Sequence, residues 1–152
     1  MVEQREFFRV QSFSAQRPRR HALSLARPKV IILVRLSLAA VFFWFGMLKL
    51  TGVSPVADLL RNSIPMLAGP PYIELLGLAE ILIAVGLVIE RLANQAATLM
   101  ILHLFCTLSI AIIAPTLIFA PAFPVLTMDG EFLAKNFVLI TAGLAVISSR
   151  DR

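Results

Sequence analysis

Four long runs of apolar residues, separated by short polar stretches, dominate the chain. They cover about residues 30–50, 72–89, 96–120 and 133–149. None alternates apolar and polar residues with a period of two, as the strands of a membrane barrel do. Each run is close to the ~20 residues that cross a ~30 Å hydrocarbon core as a helix. The pattern therefore predicts an all-α membrane protein, a four-transmembrane-helix bundle.

A shorter helix is predicted between the first and second spans. Ser54 and Pro55 form a helix start, with a capping side chain followed by proline at the first helical position. In VADLLRNSIPML, residues 56–67, apolar residues recur at helical spacing with polar residues between them. We expect a short amphipathic helix at the membrane interface. Pro115 is expected to kink the third helix because proline lacks a backbone donor.

The composition favours lipid as the solvent of these runs. Of the 152 residues, 59% are hydrophobic and 15% charged, and the mean hydropathy is +0.86. Globular domains are about half apolar and about a quarter charged, and a chain this short cannot hide so much apolar surface from water. We predict one domain, residues 30–149, between a basic disordered tail, residues 1–29, and a short C-terminus, residues 150–152.

Basic residues concentrate before the first run, near Arg91 and at the C-terminus. An excess of lysine and arginine marks the cytoplasmic side of a membrane protein. We therefore expect a multi-pass protein of the inner membrane with both termini cytoplasmic. The tail could also target the chain or bind anionic lipid headgroups. No folded basic groove or aromatic platform is visible, so no nucleic-acid partner is expected.

Charged residues inside the runs are the candidate site, because each costs about 2.5–3.5 kcal/mol in bare lipid. Arg35, Ala39, Phe42, Gly46 and Lys49 are spaced 4, 3, 4 and 3 apart, which places them on one helical stripe. This stripe should face the interior of the bundle.

Matching the depths of the polar residues predicts two buried polar layers. The first comprises Arg35 and Glu80 with His103, and the second comprises Lys49 and Glu74 with Lys135 and Asn136. We expect Arg35 and Glu80 to lie within salt-bridge distance, directly or through one water. Paired charges that fix the helix register explain these layers, and so does a proton path or a ligand headgroup site.

The sequence gives little support for a metal or haem site, a disulfide or a catalytic site. His103 has no second ligand at metal or haem spacing, so no metal is expected. Cys106 is the only cysteine, which excludes an intramolecular disulfide, and we expect it to be a small buried residue. No phosphate loop or Ser/His/Asp arrangement is present, and no catalytic residue is assigned. No resident cofactor is predicted.

Three segments resemble conserved blocks of the DoxX-like integral membrane protein superfamily. They are RLSLAAVFFWFGMLKLTGVSPVADLLRNSIPML from Arg35, ELLGLAEILIAVGLVI from Glu74 and EFLAKNFVLITAGLAVI from Glu131. The resemblance implies four transmembrane helices. The polar positions that match are Arg35, Lys49, Glu80, Lys135 and Asn136, and the resemblance makes none of them catalytic. The superfamily includes a membrane subunit of thiosulfate:quinone oxidoreductase, partners of redox enzymes and proteins of oxidant resistance.

The resemblance implies an accessory or scaffold subunit in membrane redox or oxidant-stress physiology, which is not expected to be an enzyme on its own. Its partners would be the lipid bilayer and a soluble or membrane oxidoreductase. One alternative is a quinone-reactive membrane oxidoreductase subunit, in which Arg35, Glu80 and His103 hold the headgroup. Another is a small proton-coupled carrier, which would need a homo-oligomer because one four-helix bundle leaves little room for a pathway.

Overall fold

The structure, a computed structural model, describes residues 17–67 and 69–149, with side chains from Lys29 onward. In this part of the chain, four helices are long and apolar enough to cross a membrane: Lys29–Leu50, Pro70–Val88, Ala93–Ile113 and Met128–Ser148. The predicted all-α, four-helix membrane architecture is confirmed. Helices are the expected solution because lipid offers the backbone no hydrogen-bond partners.

The described helices follow one another through short connections. In chain order they are α1 (Arg17–Leu50), α2 (Pro55–Ser63), α3 (Pro70–Val88), α4 (Ala93–Leu108), α5 (Ile110–Ile113), α6 (Pro115–Ile118) and α7 (Met128–Ser148). A single 3₁₀ turn, Pro65–Leu67, separates α2 from α3. α4 and α5 together form the third span.

The helix α1 begins at Arg17, which corrects the predicted disordered tail for residues 17–29. Alanine, leucine and arginine fill much of this segment, and all three have high helix propensity. Residues 1–16 and the predicted C-terminus, residues 150–152, lie outside the described part of the chain. The bundle from Val34 onward is a structural unit of its own.

Two boundaries differ from the predicted spans by five residues or more. The third span ends at Ile113 instead of near residue 120, so the expected kink at Pro115 is a break. Ala114 has φ −133° and ψ 63°, because the ring of the following proline disfavours the helical region. α7 begins at Met128 instead of residue 133. Thr127 caps it, since its side chain accepts a hydrogen bond of 3.0 Å from the Gly130 amide.

The predicted amphipathic helix is α2, with Ser54 at the N-cap position and Pro55 at the first turn. The Ser54 side chain makes no capping hydrogen bond, contrary to expectation. Leu59 of α2 packs in an apolar cluster with Ile110, Ile118 and Leu133. The helix therefore covers one end of the bundle, which we call the α2 end.

The apolar core fills the opposite half of the bundle. Its buried members are Leu38, Ala39, Phe42, Ile83, Ala84, Leu87, Ala96, Ala97, Met100, Leu104, Ile140 and Val146. They come from α1, α3, α4 and α7, so all four spans share one core. Leu87, Ala97 and Met100 have no exposed surface at all.

α1 and α3 are in backbone contact at Gly46 and Gly77. A Cβ atom on Gly46 would lie 2.7 Å from the Gly77 carbonyl oxygen, and one on Gly77 would lie 2.8 Å from the Gly46 oxygen. Only glycine fits at both positions, as small residues allow close approach of membrane helices. This contact sets the two helices at the distance on which the polar site depends.

Candidate functional site

The polar stripe predicted on α1 faces the interior of the bundle. Ala39, Phe42, Gly46 and Lys49 are buried, and Arg35 is half-buried. The spacing of 4, 3, 4 and 3 residues places these side chains above one another on the helix surface. Phe43 and Trp44, which lie on another face of the helix, are exposed.

Lys49 and Glu80 form a buried ion pair. The Nζ of Lys49 donates hydrogen bonds of 2.8 and 2.7 Å to Oε1 and Oε2 of Glu80. Each side chain is only 6% exposed. Because removing a charge from water costs several kcal/mol, two buried charges are tolerated only when each satisfies the other. Lys49 lies at the end of α1, whereas Glu80 lies in the middle of α3.

The close contact of the helices explains how Lys49 reaches Glu80. The Cβ of Lys49 lies 2.8 Å from where a Cβ on Gly77 would be. The lysine chain therefore starts beside Gly77 and extends along α3 to Glu80, three residues or ~4.5 Å further along that helix. A larger residue at position 77 would occupy this path.

His103 of α4 is the third member of the cluster. Its Nε2 lies 3.1 Å from Oε1 of Glu80, and the side chain is 17% exposed. Its ring makes an edge contact with Phe42, at 6.1 Å between centroids. A carboxylate only accepts hydrogen bonds, so the tautomer with a proton on Nε2 is the one that can donate to Glu80.

Arg35 does not pair with Glu80, so this prediction is wrong. Its Nε donates to the Leu87 carbonyl and its Nη2 donates to the Val88 carbonyl, both at 3.0 Å. The last carbonyls of a helix lack partners within the helix, and a cation there is favoured by the helix dipole. Arg35 therefore caps the C-terminus of α3.

The second predicted layer is also wrong in its pairing. Glu74 and Lys135 are exposed, and in the described part of the chain neither makes an ion pair. Glu74 and Glu80 point about 120° apart at ~100° per residue, so only one of them can face the bundle. Glu80 does, because it continues the stripe of Ile73, Gly77, Ala84 and Leu87, all buried.

A cavity of about 100 Å³ lies beside the Lys49–Glu80–His103 cluster. The site has room for several waters, since one water needs about 10–15 Å³ of such volume. Sequence reasoning did not identify most of its walls, because a cavity depends on packing between helices. The lining residues are Phe42, Phe45, Lys49, Val56, Leu76, Glu80, His103, Leu104, Cys106, Thr107, Phe132, Asn136 and Leu139.

Asn136 is the fourth polar residue of interest at this cavity. It is 4% exposed, and its Nδ2 has no hydrogen-bond partner. An unsatisfied buried donor costs about 1–3 kcal/mol, so such groups are rare in folded proteins. The predicted layers placed Asn136 near Lys49, and both residues do line the same cavity.

Cys106 also lines the cavity, and it is exposed. This corrects the prediction of a buried structural cysteine. Among the residues that the structure describes, no group of three or more His, Cys, Asp or Glu side chains could hold a metal ion. The polar chemistry at the cavity therefore comes from an ion pair, an imidazole, an amide, a hydroxyl and a thiol.

Comparison of the chain with protein-family models, curated proteins and solved structures finds no match. The resemblance to the DoxX-like superfamily therefore remains a prediction from the three segments quoted above.

Proposed function

We propose that the chain is an accessory subunit of a membrane redox or oxidant-stress system, of the DoxX-like kind, and that its cavity holds a quinone headgroup. The observation that carries this proposal is the unpartnered Nδ2 of Asn136 in the wall of a cavity that also contains a buried ion pair. An ion pair that only fixes helix register explains Lys49 and Glu80. It does not explain an orphaned donor beside an open volume.

The donors at the cavity suit a headgroup that accepts hydrogen bonds. A lysine ammonium has three N–H donors, and two of those of Lys49 are engaged by Glu80. The third N–H and the Asn136 amide are available to two acceptors. A quinone ring carries two carbonyl oxygens and a flat apolar body. Phe42, Phe45 and Phe132 supply aromatic walls for such a ring.

His103 supplies a site for proton exchange. The ring lines the cavity and contacts Glu80 through Nε2, so in the proposal Nδ1 is the atom that exchanges a proton with the headgroup. A quinone supplies reversible two-electron, two-proton chemistry when it is bound. In the proposal the two electrons come from a partner oxidoreductase, soluble or membrane-bound, and the two protons pass one after the other through His103, which exchanges them with water in the cavity.

The proposed location is the inner membrane, with both termini cytoplasmic. The concentration of basic residues before the first span supports this orientation. Four spans return the chain to the side on which it began. In this orientation the α2 end, and the half of the bundle that contains the cavity, lie toward the outer face.

Purification in a mild detergent tests the proposal, followed by identification of the lipophilic molecules and proteins that elute with the chain. We expect bound quinone in the native protein. Glu80→Gln should lower the quinone-to-protein ratio about tenfold, which corresponds to ~1.4 kcal/mol of lost binding. Glu74→Gln is the matched control, because it makes the same change on the same helix at an exposed position.

The Asn136→Leu variant distinguishes a loss of quinone binding from a loss of stability. Leucine has a similar size and removes an unsatisfied buried donor, so this variant should unfold no more easily than the native protein. It should nevertheless lose quinone, because the donor to one carbonyl is gone. Equal quinone in Asn136→Leu, Glu80→Gln and the native protein would refute the site. A co-purifying oxidoreductase without quinone would instead support a scaffold, and substrate uptake into proteoliposomes would support a carrier.

A further inference from the structure

The exposure of the lining residues indicates where the cavity meets the surface of the bundle. Of the lining residues, all of which lie in the described part of the chain, Cys106 is the only exposed one. It lies on α4 beside Leu102 and Phe105, which are 61% and 56% exposed. These three residues belong to the third span, and Cys106 lies about 10 Å from its end at Ile113, at ~1.5 Å per residue.

Packed apolar residues lie next to the cavity toward both ends of the bundle. Toward the core, Phe42 and Leu104 line the cavity and also belong to the packed apolar cluster. Toward the α2 end, Val56 of α2 lines the cavity, and the neighbouring Leu59 is 3% exposed in its own apolar cluster. Entry along the bundle axis would therefore require either the core or α2 to move.

We propose that the ligand enters sideways from the acyl region of the bilayer, through an opening beside Cys106. This inference rests on the proposed function. The polar headgroup passes Cys106 to reach Lys49 and Asn136, while its hydrocarbon tail remains among the lipids outside. The site thus selects a lipid-soluble molecule with an acceptor-bearing headgroup, and a water-soluble compound with the same headgroup has no direct route.

The sequence provides its own probe, because Cys106 is the only cysteine. A nitroxide attached to Cys106 in proteoliposomes can collide with oxygen, which partitions into lipid, or with a nickel chelate, which stays in water. We expect frequent collisions with oxygen and few with the chelate. Two reference positions calibrate the measurement in a Cys106→Ser background: Leu102→Cys on the apolar face of α4, and Asp129→Cys in the exposed first turn of α7.

A second measurement asks whether the ligand uses this opening. Decylubiquinone should slow the reaction of Cys106 with N-ethylmaleimide in detergent micelles. At about ten times its Kd the probe should lower the rate about tenfold, as expected for simple occupancy. The rate for Leu102→Cys in the Cys106→Ser background should not change, because Leu102 does not line the cavity.

The outcomes separate the two proposals. A nitroxide that is open to the nickel chelate would show that the cavity opens to water, and sideways entry would be wrong even if quinone co-purifies. The proposed function would be refuted if the nitroxide faces lipid, decylubiquinone does not slow the reaction of Cys106, and the purified protein contains no quinone. Bound quinone that leaves the reaction of Cys106 unchanged would place the opening elsewhere and overturn this inference.

Discussion

Arg35 and Lys49 belong to one stripe of α1, and the two halves of the bundle use them differently. In the half far from α2, the Arg35 guanidinium donates to two backbone carbonyls at the end of α3. In the half near α2, the Lys49 ammonium donates to a buried carboxylate that also contacts a histidine. The Arg35 contact caps the C-terminus of α3, whereas the Lys49 contact lies beside a cavity.

The packing around Arg35 and around Lys49 explains why their contacts differ. The half around Arg35 contains the packed apolar core, with fully buried residues such as Leu87 and Met100, so the arginine can only bind the backbone at its margin. Near Lys49, the contact of Gly46 with Gly77 brings two backbones together. The lysine chain then runs beside α3, and space remains for a ligand. Burial of a charge indicates a candidate site only where such space accompanies it.

Removing Lys49 should have the largest effect. Lys49→Met leaves the Glu80 carboxylate buried without its main partner, so the free energy of unfolding should fall by about 3–5 kcal/mol. The double variant Lys49→Met/Glu80→Gln should recover most of this loss, because the amide that replaces the carboxylate is neutral and still accepts from His103. Unfolding by SDS in mixed micelles, followed by circular dichroism, measures both. A loss below about 1 kcal/mol for Lys49→Met would show that water reaches the pair.

Separating α1 from α3 should have the next largest effect. In Gly77→Ala the new Cβ would lie 2.8 Å from the Gly46 oxygen and from the Lys49 Cβ, so the helices must move apart. We expect a loss of about 1–3 kcal/mol in the free energy of unfolding and less bound quinone. Gly69→Ala is the control, since its nearest neighbours are 3.7 Å away. An unchanged Gly77→Ala protein would refute the role assigned to this contact.

Arg35→Gln should lower stability without affecting the cavity. The hydrogen bonds that Arg35 donates are partly exposed. We therefore expect the free energy of unfolding to fall by about 1.5 kcal/mol, the low end of the range for hydrogen bonds to charged groups. Arg35→Lys should recover part of it, because a cation remains at the C-terminus of α3. Quinone retention should equal that of the native protein. If Arg35→Gln loses quinone as Glu80→Gln does, the two halves of the bundle are not functionally distinct.

The sequence was sufficient to predict the four spans and the buried face of α1, because both follow from spacing along a single helix. The sequence also indicated that Glu80, and not Glu74, faces the interior of the bundle. Ile73, Gly77, Glu80, Ala84 and Leu87 repeat the spacing of 4, 3, 4 and 3 found on α1. Matching residues by the depth of their Cα atoms in the membrane instead gave wrong partners for Arg35 and Lys49. A long lysine chain can place its charge a helical turn from its Cα.

The cavity and the opening at Cys106 could not be predicted in the same way. Both arise where the surfaces of several helices fail to fill space, and that depends on their relative positions. The break at Pro115 and the start of α7 after its cap Thr127 could be predicted in part. The sequence contains the proline and the threonine, with Asp129 and Glu131 in the first turn of α7, although the length of the apolar runs suggested other boundaries.

Glu74→Gln and Lys135→Gln should have the smallest effects. Both side chains are exposed, and each lies in the second turn of its helix, close enough to the α2 end for its charge to reach the membrane surface. Each change should alter the free energy of unfolding by less than about 0.5 kcal/mol and leave bound quinone unchanged. Lys135 is the more informative of the two, because it adjoins Asn136 in the sequence while lying outside the cavity. If Lys135→Gln releases quinone and Glu74→Gln does not, the ligand extends past the buried cluster to the rim of the bundle at α7.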